Sequence, residues 1–274
     1  MKTITSKSNP HIIHACSLSK RKYREQYGLF FFEGIKLFRE ALDAAVNIKE
    51  VFVTEKALAS YPECADIDTA YLVTDEVYAK ITDESAPQGI FSVAEIPIKK
   101  APASGSRIII ESVRDPGNVG TILRSALAFG IGEVFFSSDC ADPWSPKVCR
   151  AAMGALFRQP FSCEKNTLGV IDKLRNNGYN LFAAALSDGS HPLNEIEVSE
   201  KTCFVIGNEG SGLRSETVAA CDGQVIIPIS EQSESLNAAV AASVLMWEMK
   251  KWTETKRLNG YGFRSVQIPP RTTR

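Results

Sequence analysis

The residues best suited to chemistry stand in three separate stretches of the chain. The first, DPGNVGTILR, contains Asn118 and Arg124 at the start of a helical pattern. The second is a glycine-rich run, GNEGSG, that contains Glu209, and the third is SLN, which contains Ser235 and Asn237. A guanidinium binds anions, while amides both donate and accept hydrogen bonds. Brought together, these side chains would hold an anionic group beside a polar ligand.

Each stretch also has a purely structural interpretation. Asparagine and serine are good helix N-caps, and Arg124 could be an ordinary exposed helix residue. The glycine order of the second stretch is GxxGxG, not the GxGxxG of dinucleotide-binding folds. The acid Glu209 would repel a pyrophosphate, so a neutral or cationic ligand suits this loop better. GNVG at 117–120 with Asp139 about twenty residues later half-matches a dinucleotide fingerprint, but it leaves the later loops unexplained.

The elements that must position these residues alternate between strands and helices. From residue 107 onward, apolar runs predict strands at 107–112, 133–136, 181–186, 203–207 and 224–229. Helical patterns lie between or after them at 121–130, 147–156, 167–177, 213–221 and 236–252. Strands that are apolar throughout and alternate with helices indicate a parallel sheet covered on both faces. Ligands bind such sheets at the loops that leave the carboxyl ends of strands, where all three stretches fall.

Composition divides the chain into two α/β domains. Residues 98–106 mix Lys, Pro, Ala, Ser and Gly without an apolar period, which predicts a linker. Before it, strands are predicted at 29–32, 51–53, 71–73 and 90–96, with helices at 35–45 and 74–81. We therefore expect a small α/β domain at 1–97, a larger one at 107–253, and a basic tail at 254–274.

Hydropathy and cysteine usage exclude several classes of protein. The 274 residues are 44% apolar, yet no run reaches the roughly 18 apolar residues that a membrane span needs. The start of the sequence has no signal-peptide pattern. Seven cysteines without a CxxC pair are typical of reduced thiols, so we expect a cytoplasmic protein. Only His11 and His14 have metal-like spacing, and no metal site is expected.

Charge is distributed unevenly along a chain whose formal net charge is −1. The first 24 residues carry six basic residues and no acid, and residues 250–274 carry seven basic residues against Glu254 alone. Basic ends on an acidic body can bind phosphates locally, although solvated tails are often basic as well.

Taken together, the three stretches resemble the three motifs of the SpoU-type (TrmH-type) RNA ribose 2′-O-methyltransferases of the SPOUT superfamily. The motif N-x-G-x-x-x-R is present at 118–124, and G-x-E-G-x-G at 207–212. An Ile-Pro pair followed by Ser-Leu-Asn spans 227–237. Residues 9–42 resemble the substrate-binding domain that many members carry. One departure is Glu231, which stands where many members have glycine, in a loop that borders the methyl donor.

The resemblance implies fold, cofactor and site. The larger domain would be a parallel sheet with a trefoil knot, which general topology rules make rare. The smaller domain would be an RNA-binding α/β sandwich, and the protein would form a homodimer through its C-terminal domain. The implied catalytic residues are Arg124, Asn118, Glu209, Ser235 and Asn237. The implied binding residues for S-adenosyl-L-methionine are Gly207, Asn208, Gly210, Ile227, Ile229, Ser235 and Leu236.

The resemblance also gives the basic N-terminal segment a partner. We expect RNA to contact Lys20, Arg21, Lys22 and Arg24, with Tyr23 and Tyr27 available to stack on bases. The extra N-terminal domain favours rRNA as the substrate. The alternatives are a tRNA ribose methyltransferase of the same family and a catalytically silent RNA-binding protein. The C-terminal stretch NGYGFRSVQIPPRTTR is either a second RNA contact or a disordered tail.

Overall fold

The protein folds into two α/β domains, each built on its own sheet. The computed structural model describes residues 1–98, 100–102, 104–187, 189–230, 232–233 and 235–260, without the side chains of 253 and 255–260. The predicted linker at 98–106 falls between the last strand of one sheet and the first strand of the other.

A mixed sheet of five strands forms the centre of the N-terminal domain. Its elements are β1 (Lys2–Ile4), α1 (Pro10–Ser17), α2 (Arg21–Tyr27), β2 (Leu29–Glu33), α3 (Ile35–Asp43), β3 (Ile48–Thr54), α4 (Glu55–Ser60), β4 (Ala70–Val73), α5 (Asp75–Ile81) and β5 (Ile90–Glu95). The strand order is β1-β4-β3-β5-β2, with β5 antiparallel to both neighbours. Successive phenylalanines of β2 face opposite sides, so Phe31 packs in one core and Phe30 and Phe32 in the other.

A seven-stranded parallel sheet forms the centre of the C-terminal domain. Its elements are β6 (Arg107–Ile110), α6 (Pro116–Phe129), β7 (Glu133–Ser137), α7 (Pro146–Ala152), α8 (Ala155–Arg158), β8 (Phe161–Glu164), α9 (Thr167–Asn176), β9 (Asn180–Ala184), β10 (His191–Pro192), β11 (Thr202–Ile206), α10 (Ser215–Ala219), β12 (Gly223–Ile226) and α11 (Ala238–Gly260). The order is β10-β12-β9-β11-β6-β7-β8, and every neighbouring pair is parallel.

Helices cover both faces of this sheet, as the apolar strands predict. Helices α6, α7 and α11 contribute to the core on one face, and α9 contributes to the core on the other. The predicted α/β fold class is therefore confirmed. The trefoil knot stays a prediction, because strand order and register do not describe how the chain is threaded.

Three sequence expectations about single elements need correction. The last helix continues to Gly260 instead of ending near Trp252, so it takes in the first residues assigned to the tail. The helix predicted at 147–156 is two helices, since the backbone at Met153 turns to a φ of 53°. The short strands β1, β8 and β10 and the helices α1 and α2 lacked a sequence signal. Residues 261–274 lie outside the described residues.

Aromatic side chains and an ion pair join the two domains. Phe30 of β2 packs against Trp144 with ring centroids 4.7 Å apart, and Phe32 lies 5.3 Å from Phe157. Arg24 of α2 reaches Asp142, in the segment after β7, at 2.5 Å. The N-terminal domain is thus fixed against the segment that leaves the carboxyl end of β7.

Within the described part of the chain, no helix has the length and apolar character of a membrane span. The seven cysteines are free thiols, and burial raises the pKa of Cys64 to about 11.

Candidate active site

The three stretches singled out in the sequence meet at one edge of the parallel sheet. They follow β6, β11 and β12, and β6 is the direct neighbour of β11. β12 and β11 both pair with β9, so the carboxyl ends of these strands point to the same edge. Parallel topology therefore brings together residues that are about a hundred positions apart in sequence.

A polar network joins one residue from each stretch. The Asn118 side-chain amide donates to Oε1 of Glu209. The Asn237 amide donates to Oδ1 of Asn118 at 3.0 Å, and the backbone N–H of Ala238 donates to the same Glu209 oxygen at 3.2 Å. The Glu209 carboxylate thus accepts from both other stretches, which fixes their relative position.

Helix capping accounts for only part of these residues. The N-cap of α6 is Asp115, whose Oδ1 accepts from the backbone N–H of Asn118 at 2.8 Å, so the Asn118 side chain is free for the network. Asn237 both caps a helix and joins the network. Its Oδ1 accepts from the N–H groups of Ala239 and Val240, and its side-chain amide donates to Asn118.

The glycine-rich loop is held tightly by its own backbone. The N–H of Gly212 donates to the carbonyl of Asn208 at 2.9 Å, and the Asn208 side chain accepts from the N–H of Gly210 at 2.9 Å. Gly207 lies against this turn so closely that a Cβ there would be 2.4 Å from the backbone of Gly212. Only glycine fits at position 207.

Arg124 stands apart from the network. It is exposed on α6, six residues after Asn118, which is about 9 Å further along a helix. Its guanidinium has no hydrogen bond or ion pair with any residue that the structure describes. A guanidinium with no partner among the described residues can bind an anionic ligand.

The other predicted ligand-binding residues lie on the segment between β12 and α11. Ile227 is half-buried against the core and Leu236 is half-buried, whereas Ile229 and Ser235 are exposed. The structure places these residues between β12 and the network but joins none of their side chains to it by a hydrogen bond. Glu231, the departure noted in the sequence, lies outside the described residues.

One predicted RNA-binding residue is misassigned. Lys20, Arg21 and Lys22 are exposed, but Arg24 is only 4% exposed. Its guanidinium donates to the carbonyl of Leu18 at 2.6 Å and pairs with Asp142. Arg24 therefore fastens α2 to the C-terminal domain and is not available for a phosphate.

A second polar network lies beside the first, and no pattern in the sequence predicts it. Arg214, after the glycine-rich loop, pairs with Asp139 at 3.1 Å and with the fully buried Glu111 at 3.4 Å. Burial raises the pKa of Asp139, but hydrogen bonds from Ser137, Ser112 and the backbone, together with the charge of Arg214, bring its pKa below the ordinary value. Asp139 is thus a charged partner of Arg214, so it does not support a dinucleotide site. Among the described residues, no group of His, Cys, Asp and Glu is arranged to hold a metal ion.

Comparison with known proteins agrees with this architecture. Residues 105–247 match the SpoU rRNA methylase family, and residues 9–92 match the MRM3-like substrate binding domain. The 23S rRNA (guanosine(2553)-2′-O)-methyltransferase RlmP of Bacillus subtilis is 31% identical over 253 residues, which are 91% of this chain and 100% of that protein. The 23S rRNA (guanosine-2′-O-)-methyltransferase RlmB of Coxiella burnetii is 34% identical over 157 residues, covering 57% of this chain and 62% of that protein.

A solved structure extends the agreement over both domains. The AdoMet-bound rRNA methyltransferase from Sinorhizobium meliloti superposes with a TM-score of 0.81 at 28% identity, covering 92% of this chain and 98% of that one. Fold and site together define the class, an RNA methyltransferase of the SpoU/TrmH type with a preceding substrate-binding domain. The chain belongs to the SpoU rRNA methylase family.

Proposed function

We propose that the protein transfers a methyl group from S-adenosyl-L-methionine to a ribose 2′-hydroxyl of rRNA. The observation that carries this proposal is the hydrogen-bonded network of Asn118, Glu209 and Asn237, one residue from each of three distant motifs. The names of RlmP and RlmB, both rRNA 2′-O-methyltransferases, support it.

The glycine-rich loop and the segment after β12 fit such a donor. Gly207 leaves no room for a side chain against Gly212, so the loop offers backbone donors and acceptors to an adenosine. Glu209 adds a carboxylate, which suits a sulfonium cation. In the proposed complex the donor is held by Gly207, Asn208, Gly210, Ile227, Ile229, Ser235 and Leu236. S-adenosyl-L-methionine supplies the electrophilic methyl group when it is bound.

The protein's own residues would align the ribose hydroxyl and stabilise the negative charge that develops on its oxygen. Asn118 and Asn237 can each donate and accept, which suits a hydroxyl and its ribose. A guanidinium combines a positive charge with planar N–H donors, so we assign Arg124 to the target phosphate and to the alkoxide that develops at the 2′-oxygen. The proton then passes to that phosphate or to a neighbouring group. Glu209 would keep both asparagines in position through the hydrogen bonds that it accepts.

Transfer to purified RNA tests the proposal directly. Incubation with S-adenosylmethionine labelled in its methyl group should label rRNA from a strain that lacks the gene. Because a 2′-O-methyl group blocks alkaline cleavage of the adjacent phosphodiester, the label should coincide with one alkali-resistant bond. Label on tRNA alone would favour the tRNA alternative, and RNA binding without transfer would favour the silent binding protein.

The exposed apolar surface of α6 and α11 supports the proposed homodimer. Leu127 is 38% exposed, Val240 48% and Trp247 51%, and Phe129 packs edge-on against Trp247. An apolar surface on these two helices is suited to a second copy of the chain. The network residues Asn118 and Asn237 lie on or at the ends of the same helices, so the site would border the interface.

For the protein's location we propose the cytoplasm.

The exposed part of the basic segment supports RNA binding by the N-terminal domain. Lys20, Arg21 and Lys22 carry three positive charges beside Tyr23 and Tyr27, whose rings are stacked with centroids 6.1 Å apart. Each neutralised phosphate contributes about 0.7–0.9 to the salt slope of binding.

Replacing Lys20, Arg21 and Lys22 together by glutamine should therefore reduce the slope of log K against log [salt] by about 2. Fluorescence anisotropy with labelled rRNA fragments at several salt concentrations measures this slope. The matched control replaces Lys36, Lys49 and Lys56, exposed lysines of the same domain, and should leave the slope near that of the wild type. An unchanged slope in the first variant would show that the segment does not touch RNA.

A further inference from the structure

A cavity opens along the glycine-rich loop, next to the proposed active site. It has a volume of about 420 Å³ and is bounded by Ser112, Arg114, Asp139, Asn208, Ser211 and Arg214. These residues follow β6, β7 and β11, so the cavity lies at the same sheet edge as the network of Asn118, Glu209 and Asn237. It shares the loop at 207–212 with that network and borders the proposed donor site at Asn208.

The floor of this cavity is rigidly built. Ser112 has a φ of 59°, a left-handed conformation that a non-glycine residue adopts at a cost of about 1–3 kcal/mol. Three contacts hold it there: its N–H donates to Ser137 at 2.8 Å, its hydroxyl donates to Asp139 at 2.7 Å, and its carbonyl accepts from Asn208 at 3.2 Å. Strained residues fixed by their surroundings cluster at binding sites.

The charges around the cavity leave one group without a partner. Arg214 pairs with Asp139 and Glu111, and Asp139 also accepts from Ser112, so each of these charged groups has a partner. Arg114 is exposed and has neither a hydrogen bond nor an ion pair with any described residue. The cavity therefore presents one free guanidinium, with its planar set of N–H donors, to whatever enters.

We propose that this cavity binds a nucleotide of the RNA next to the reacting ribose, with Arg114 donating two hydrogen bonds to an acceptor pair on it. The proposal rests on the proposed function, since Arg114 is four residues before Asn118 and the two sites share one edge. A guanidinium fork matches two phosphate oxygens or the O6 and N7 atoms of guanine. Arg114 would thus help to decide which RNA is bound productively.

The test separates RNA binding from donor binding. Arg114→Ala should raise KM for the RNA at least tenfold and leave the Kd of S-adenosylmethionine within twofold of wild type. Arg114→Lys should recover less than half of the loss if the contact is bidentate, because an ammonium cannot make the paired contact. Lys36→Ala, which removes an exposed charge from α3, is the matched control and should leave both constants unchanged.

Modified RNAs then identify the acceptor. If Arg114 reads guanine, 7-deazaguanosine in place of the guanosines around the target should weaken binding to the wild type but not to Arg114→Ala. If it holds a phosphate, a neutral methylphosphonate at one linkage should do so instead. An unchanged KM in Arg114→Ala, or an equal loss of donor affinity, would overturn the proposal. Absence of methyl transfer by the wild type would instead refute the proposed function, and RNA Kd values would still test the cavity.

Discussion

Arg124→Ala should lower kcat for methyl transfer by about 10²–10³-fold while the Kd of S-adenosylmethionine stays within twofold of wild type. The side chain is exposed and touches no described polar partner, so its removal costs the fold almost nothing. In the proposed mechanism, the variant loses a positive charge beside the ribose oxygen that becomes negative, and removal of one such donor typically has this effect. Single-turnover rates and calorimetric donor titrations measure the two quantities.

Two further variants make the result specific to the guanidinium. Thr121→Ala changes an exposed residue one turn earlier on α6 and should retain wild-type turnover. Arg124→Lys keeps the charge but loses the planar donors, and should recover only part of the rate. Turnover of Arg124→Ala within tenfold of wild type, a barrier increase below about 1.4 kcal/mol, would contradict the assignment.

The parallel sheet could be predicted because its central strands are apolar throughout. Runs such as RIII and TCFVI are buried on both faces. Most of their consecutive residues are therefore apolar, and such a run can be recognised in the sequence. The edge strand β8, FSCE, carries no such signal, since it pairs only with β7 and is half-exposed. Helix α2 could not be predicted from the sequence either, because most of its seven residues are exposed and charged or polar.

The three residues of the network, Asn118, Glu209 and Asn237, could be singled out from the sequence, but their contacts could not. Spacing singled out Asn118 and Glu209, yet whether Asn118 caps a helix depended on Asp115, which took that role. Arg24 was misassigned because its partner Asp142 lies 118 residues away, and a local run of charges does not reveal a buried ion pair. For the same reason, only the structure shows that Arg114 and Arg124 have no partner among the described residues.

The glycine-rich loop gives the second large effect, because Gly207 and Gly210 differ sharply in the space around them. A Cβ on Gly207 would lie 2.4 Å from backbone carbon and oxygen of Gly212 and 2.5 Å from the nitrogen of Leu213. Backbone cannot give way as a flexible side chain can, so Gly207→Ala must open the turn. A Cβ on Gly210 would meet only the Asn208 side-chain oxygen at 3.5 Å, an ordinary contact.

Gly207→Ala should therefore weaken S-adenosylmethionine binding at least a hundredfold and lower the melting temperature, whereas Gly210→Ala should bind the donor within a few-fold of wild type. Opening the turn breaks the hydrogen bonds between Asn208 and Gly212, and Glu209, which stands between them, then moves away from Asn118. Overpacking of this kind costs about 1–3 kcal/mol even where neighbouring side chains can adjust. Calorimetric titration and thermal unfolding measure both effects. Equal donor affinity in the two variants would mean that the close approach of Gly207 to Gly212 does not shape the donor site.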